Sequence, residues 1–226
     1  MREIKEYGYT RVTREGSRRS TEPVAVEESF RILMDGEPVS TVMASPTSLE
    51  GLGAGHLLSE GRLGDRRIER VVVQGHGIDV MTGSNGQRWG TGELVLTPEL
   101  IFNLLPHLEN EVYRRTSGTH SASVLDPEGR LVAGAADVRR HSACDKAIGG
   151  ALLAGQDLGR SIMLASGRQS GDLVGKAARA GIPVTVSKAA PISSGIEAAR
   201  SAGMTLICFL DGEKFSVFHG GERIRL

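Results

Sequence analysis

Apolar positions recur at two different periods along the chain. Val24 and Val26, then Phe30, Ile32 and Met34, fall on every second residue, and 39–43 runs back after Asp35-Gly36. Period two turns one strand face to a core, and Asp-Gly is a hairpin turn pair, so a β-hairpin is predicted although Leu33 breaks strict alternation. Ahead of it, 1–20 is charged and weakly patterned, locally basic through Arg11, Arg14, Arg18 and Arg19, and reads as a polar arm or edge strand. Residues 49–60 take helical spacing, introduced by Pro46 and Ser48 and closed by Gly61. Gly51, Gly53 and Gly55 lie inside this helix, follow no strong strand and lack the acidic partner of a dinucleotide fingerprint, so close helix packing explains them better. Beyond it, 68–74 and 78–81 read as a strand pair, 82–92 as a polar loop and 94–96 as a short strand. Thr97-Pro98-Glu99 opens a helix that Pro106 kinks or splits.

The densest chemistry lies in 116–146. Ser121-Ala122-Ser123-Val124-Leu125 is a strand, Asp126-Pro127-Glu128-Gly129 a tight turn, and 130–135 the returning strand. Cys144, Ala147, Ile148, Ala151 and Leu152 then form one apolar helical stripe. Ser142 is the expected N-cap, with Asp145 as the acid of a capping box. Arg139, Arg140 and His141 would stand ahead of a helix N-terminus, where free N–H groups and the helix dipole favour an anion. A plainer account has Asp145 as a cap only, the arginines as solvated surface and His120 and His141 as satisfied polar residues.

After 160 strand and helix alternate: 162–165, 173–180, 182–186, 196–202 and 204–210. This βαβαβ order predicts a mainly parallel sheet with right-handed crossovers. The fold expected is α/β, with a polar arm (1–21), an amino-terminal β-rich domain (22–115) and a carboxyl-terminal parallel-sheet domain (116–226). Ligands of such sheets sit at the carboxyl strand ends. There the chain places Ser166-Gly167-Arg168, Lys188 with 189–195, and Asp211-Gly212-Glu213-Lys214. Gly and Ser beside Arg168 or Lys188, just before helix starts, suit a phosphate. The alternative is that Ser170 and Ser194 merely cap helices, Ser194 with Glu197.

Composition narrows the partners. Lys plus Arg and Asp plus Glu balance at 27 each, so no global field recruits nucleic acid or a membrane, and any anion site is local. Aromatics make up 4%, with Trp89 the single Trp, too few for a single-strand stacking platform. Cys144 and Cys208 are the only cysteines; two cannot build a disulfide framework or a four-cysteine zinc site, and both suit core positions in a reducing compartment. With no apolar signal core and no membrane-length stretch, a soluble, cytoplasmic protein is expected.

Several runs in order then resemble one family. Gly118-Thr119-His120-Ser121-Ala122, Asp137-Val138-Arg139-Arg140-His141-Ser142-Ala143-Cys144-Asp145-Lys146, Ser166-Gly167-Arg168, 176–184, Ala190-Pro191 and Phe209-Leu210-Asp211-Gly212 resemble the formate dehydrogenase accessory family, FdhD/NarQ. Weaker matches at 35–39 and 57–61 extend it to nearly the whole chain from about Glu22. The resemblance implies a cytidine-deaminase-like carboxyl half, a homodimer, and a molybdenum bis(pterin guanine dinucleotide) cofactor or GDP-like ligand. It also implies sulfur passed from a cysteine desulfurase to that cofactor before it enters formate dehydrogenase. The family's cofactor segment falls on Phe209, Leu210, Asp211, Gly212, Glu213 and Lys214, with Asp211 where a basic residue is common. Ser166, Gly167, Arg168, Lys188 and Arg140 join them as expected cofactor contacts, with His120, His141, Asp145 and Lys146 as a polar centre beside them.

One departure is large. The family carries sulfur on a Cys-Gly-x-Cys loop, and the corresponding stretch here, 82–90, contains no cysteine. A persulfide needs a thiolate, which a hydroxyl cannot replace. A sulfurtransferase would have to use Cys144 or Cys208. Zinc deamination lacks its signatures, His120 being followed by Ser121-Ala122. A serine hydrolase lacks the Gly-x-Ser-x-Gly elbow, although His120, Asp137 and several serines leave a triad formally open. A small-molecule enzyme on the same scaffold would act through His120 or His141.

Overall fold

The computed structural model describes residues 3–86 and 94–226. Most of the loop expected over 82–92, with Trp89, therefore lies outside the described residues. The expected α/β class is found, with the strand-rich part first.

Residues read as a polar arm or edge strand form an antiparallel ribbon, β1 (Ile4–Thr13) and β2 (Gly16–Ala25), which packs on α3 (Glu111–Thr116). Four strands follow as a second sheet: β3 (Glu28–Met34), β4 (Glu37–Ala44), β5 (Arg67–Gln74) and β6 (Gly77–Gly83), in the order β4-β3-β6-β5. The β3–β4 turn has Asp35 and Gly36 at φ 54° and 82°. Positive φ at both central residues is what a two-residue hairpin requires. Phe30, Ile32, Ile78 and Val80 bury one face of this sheet against Leu52 and Leu57 of α1 (Leu49–Ser59). Each such side chain contributes about 1.5–3 kcal/mol by leaving water.

The carboxyl-terminal sheet has six strands, β7 (His120–Leu125), β8 (Leu131–Asp137), β9 (Ile162–Ala165), β10 (Val184–Ser187), β11 (Thr205–Cys208) and β12 (Ser216–His219), ordered β12-β11-β10-β9-β7-β8. Parallel pairing is confined to β9, β10 and β11; the flanking strands are antiparallel, so the sheet is mixed around a parallel centre. One face packs on α4 (Arg140–Leu153), α5 (Gly171–Arg179) and α6 (Ser193–Ser201), the other on α2 (Pro98–Asn103) and a 3-10 turn at Leu105–Leu108. Pro106 thus splits the 97–116 segment as expected. Leu96 makes a single bridge to Ile224 where a short strand was expected.

Helices α1 and α4 join the two sheets back to back, nearly touching along their backbones. A Cβ on Gly55 would lie 1.8 Å from the Asp145 carbonyl oxygen, and one on Gly149 1.9 Å from that of Gly51. The glycines of 51–55 therefore serve packing, as expected from the sequence. Gly55→Ala is expected to destabilise the protein by at least about 3 kcal/mol in urea unfolding. Gly8→Ala, whose Cβ meets nothing within 4 Å, should stay within about 0.5 kcal/mol. Equal stability of the two variants would refute the close crossing.

Candidate functional site

The parallel strands β9, β10 and β11 bring Ser166, Lys188 and Phe209 to one sheet edge, and antiparallel β7 begins there with His120. Buried Gln169 ties this edge together. Its Nε2 donates to the Gly167 carbonyl (3.0 Å), and Thr185 Oγ1 donates to its Oε1 (2.9 Å). Ser187 Oγ also donates to the Gly167 carbonyl (2.8 Å). Gln169 N donates to Ala190 O and Ile192 N to Gln169 O, so these loop N–H groups serve the fold and not a ligand. Neither serine caps as the plainer account had it. Ser194 lies inside α6, and its Oγ accepts from Gly171 N (3.1 Å), capping α5 from outside, while Glu197 pairs with Arg200. Ser170 Oγ is buried without a partner among the described residues.

Two adjoining hollows of about 320 and 730 Å³ share Leu108, Tyr113 and Lys188. The smaller is closed by Thr119, His120, Val138 and Ser166; the larger by Leu105, Pro106, Leu210 and Asp211. Lys188 Nζ lies 5.9 Å from the Tyr113 ring centroid, a cation–π approach. Arg168 is exposed, and neither it nor Lys188 has an ion-pair partner among the described residues. Burial first, and then the Arg140 and Lys188 charges, hold His120 below its ordinary pKa, so it is neutral at neutral pH. Its Nδ1 is 3.4 Å from Ser166 Oγ.

Phe209 is exposed and has φ 56°, a left-handed conformation unusual for an aromatic residue. Phe209 N to Ala189 O and Leu210 N to Ser187 O, both 3.1 Å, hold it there, and its ring lies 6.0 Å from Phe218. Strain of this kind costs of order 1–3 kcal/mol and tends to persist at functional sites. Asp211 Oδ1 accepts from Glu213 N and Lys214 N, which lowers its pKa and folds 211–214 into a tight exposed turn around Gly212.

The polar residues of 137–146 do not form one centre. Arg140 runs along Gly167 with Nε buried and unpartnered, close to the hollows. His141 faces another cavity, of about 490 Å³, between β4, α1, α4 and α5; its Nε2 is also buried without a partner among the described residues. Burial and then Arg140 hold its pKa below the ordinary value. The expected capping box is absent because the helix starts three residues earlier, with Arg139 and not Ser142 at the N-cap. Ser142 donates to Met43 O, no side chain caps the helix at its N-cap residue Arg139, and Asp137 Oδ1 accepts from Arg139 N (2.8 Å) in a turn just ahead of it. Lys146 is fully buried, Nζ lying 2.7 Å from Asp137 Oδ2 and 2.7 Å from Ser45 O. Burial works against both charges, raising the Asp137 pKa and lowering that of Lys146. The triad left open with His120 is not formed, since the Asp137 carboxylate serves Lys146, Ser45 N and Arg139 N.

Asp145 is the centre of a second buried cluster. Lys176 Nζ lies 2.9 Å from its Oδ1 and 2.5 Å from Glu60 Oε1, and Ser59 Oγ donates to Oδ1 (2.6 Å). Desolvation is the largest influence on both ions, yet their mutual attraction and hydrogen bonds prevail, lowering the Asp145 pKa and raising that of Lys176. His56 Nδ1 approaches Asp145 Oδ2 (3.2 Å) and its Nε2 approaches Ser40 Oγ (2.9 Å). Sequence reasoning missed Ser40, His56 and Lys176, because partners separated by 16, 89 and 31 positions leave no local spacing. Both cysteines are buried, which raises their pKa, that of Cys208 to about 12. Among the described residues no three His, Cys, Asp or Glu side chains gather as a metal-binding set, and no helix is long and apolar enough to cross a membrane.

Comparisons with known proteins agree on one family. The model of the FdhD/NarQ family matches residues 65–225. A sulfur carrier protein FdhD of Streptomyces coelicolor is 33% identical, over 92% of this chain and 91% of its own. That of Thermoplasma volcanium is 32% identical over 100% and 95%. A crystal structure from Desulfotalea psychrophila, provisionally designated a formate dehydrogenase accessory protein, superposes with a TM-score of 0.87 at 27% identity, covering 98% of this chain and 99% of that one.

The Asp145 cluster sets a pH dependence. A carboxylate with a depressed folded pKa stabilises the fold above its unfolded value, 3.8, and loses that contribution as pH falls through the folded value. Asp145→Asn should cost about 3–5 kcal/mol between about pH 5 and 8, leaving Lys176 under-compensated. In urea unfolding the difference from wild type should shrink as pH falls below 3.8. A difference independent of pH would contradict this.

Proposed function

Because the chain belongs to the FdhD/NarQ family, we propose that it is an accessory protein of formate dehydrogenase. In this reading it holds a guanine-dinucleotide form of the molybdenum cofactor, or a GDP-like part of it, along the β9–β11 edge. The observation that carries the ligand reading is that Arg168, Lys188 and strained, exposed Phe209 follow the carboxyl ends of three adjacent parallel strands, with Lys188, free of ion pairs among the described residues, lining both hollows. Such a donor set fits a nucleotide diphosphate. The cations neutralise phosphate oxygens, Phe209 and Tyr113 offer faces to a base, and apolar Leu108 and Leu210 exclude water. Arg140, passing beside Gly167, adds positive potential at the inner end. The bound cofactor would supply the redox chemistry of the client enzyme, while this chain's residues bind and orient it. Homodimerisation, and docking to formate dehydrogenase and a cysteine desulfurase, belong to the same proposal.

The relatives are named sulfur carriers, and this chain is proposed to serve the same accessory process through cofactor binding. Sulfur on its own thiols finds no support. Cys144 and Cys208 are buried with raised pKa, which suppresses the thiolate that attacks a persulfide donor.

Calorimetric titration with GDP is expected to show saturable binding. Replacing a charged hydrogen-bond donor to phosphate costs about 1.5–3 kcal/mol, so Lys188→Ala and Arg168→Ala should each weaken binding about tenfold or more. No binding by the wild type, or unchanged affinity in both variants, would overturn the reading.

A further inference from the structure

On the other side of α4 from the nucleotide groove, the structure brings together a hydroxyl, an imidazole and a buried carboxylate from three chain-distant segments. We infer that Ser40 is an acyl-accepting nucleophile, with His56 as its general base and Asp145 as the positioning residue, acting on small neutral esters.

The geometry is that of an activated serine. Ser40 Oγ is 2.9 Å from His56 Nε2, and His56 Nδ1 is 3.2 Å from Asp145 Oδ2. Asp145 is buried and held ionised by Lys176 and Ser59, so it accepts the Nδ1 proton. That fixes the tautomer with its lone pair on Nε2, aimed at the serine hydroxyl. A base within reach of a hydroxyl, itself oriented by a third group, is the arrangement by which serine nucleophiles are recognised irrespective of fold or chain order.

Two further observations point the same way. Ser40 stands beside a β-bulge: Ile32 pairs with Ser40 and Leu33 with Pro38, leaving Val39 as the extra residue. Bulges re-aim side chains and concentrate next to active sites. Since β4 is an edge strand, alternate N–H groups lie outside the ladder, where they can receive an oxyanion. Thr41, Val42 and the base His56 line the 490 Å³ cavity; Ser40 itself, half-buried, stands next to that lining in the chain and meets it through His56 Nε2. His141 lines it too, and its buried Nε2 has no partner among the described residues. The lining carries the cations Arg139, Lys176 and Arg179 and the carboxylates Glu60, Asp145 and Asp172, a balance of charge that favours a neutral substrate over an anion.

In the step proposed, the Ser40 hydroxyl proton passes to His56 Nε2 as Oγ bonds to the ester carbonyl carbon. The alkoxy bond then breaks and the leaving alcohol takes that proton. Water, deprotonated by the same nitrogen, attacks the acyl carbon; the Oγ–acyl bond breaks as His56 Nε2 returns that proton to Ser40 Oγ, so ester and water give acid and alcohol and the serine and neutral imidazole are restored.

The test treats the full-length protein with an alkyl fluorophosphonate, which forms an Oγ–P bond and expels fluoride. Intact mass and peptide mapping are expected to show one adduct per chain, on Ser40. Ser40→Ala, with an unchanged melting temperature, should take no label, and His56→Gln should label at least about 100-fold more slowly. Asp145→Asn, assayed below its melting point, should slow labelling without changing the reagent concentration at half-saturation, a split that a general loss of structure would not give. No adduct on the folded wild type, or equal labelling of Ser40→Ala, would overturn the inference and leave the relay a structural hydrogen bond.

Discussion

The backbone contact between α1 and α4 is the constraint on which the rest of the structure depends. Carbonyl oxygens of one helix lie where a Cβ of the other would stand, so Gly51, Gly55 and Gly149 are required by space alone. Such an approach brings two sheets from opposite ends of the chain to either side of a helix pair. It also leaves α4 buried on nearly every side, from Ser142 to Gly149 and again at Ala151 and Leu152.

That burial explains the charges inside. Asp137 with Lys146, and Asp145 with Lys176, lie where one sheet's helix meets the other's, and each pair also holds backbone or side-chain groups of the amino-terminal part: Ser45 in one case, Ser59 and Glu60 in the other. An ion left alone there would be costly, so each pair fixes the relative placement of the sheets. The two pairs respond to burial differently. The first has only backbone groups of Ser45 and Arg139 besides itself, and desolvation prevails on both ions. In the second, His56, Ser59 and Glu60 add partners, and charge is favoured.

The elements were legible in the sequence where local rules decide them. Period two gave β3 and β4 around Asp35-Gly36, glycines at 61, 181 and 203 closed helices with positive φ, and the stripe from Cys144 to Leu152 is the face of α4 that meets the sheet. The edge carrying Ser166 and Lys188 followed from βαβαβ order; Phe209, expected inside the last parallel strand and singled out by the family resemblance, lies just past the end of β11 at Cys208. What failed depended on tertiary partners. Ser142 and Asp145 have the spacing of a capping box, but α1 covers that side of the helix, so Asp145 is drawn to His56, Ser59 and Lys176. Ser194 looked like a cap for its own helix and caps its neighbour, because α5 and α6 start side by side. His120 and His141 are close in sequence yet open into different cavities on either side of α4.

The account makes the β9–β11 edge the ligand-holding part of an accessory protein, with the α1–α4 crossing as the frame that holds it. Amide hydrogen exchange, followed by mass spectrometry with and without GDP, tests that most directly. Protection is predicted to be concentrated in 166–169, 188–190 and 209–214, with the α1–α4 core slow to exchange in both states. GDP-dependent protection confined to the amino-terminal sheet, or absent throughout, would contradict the account.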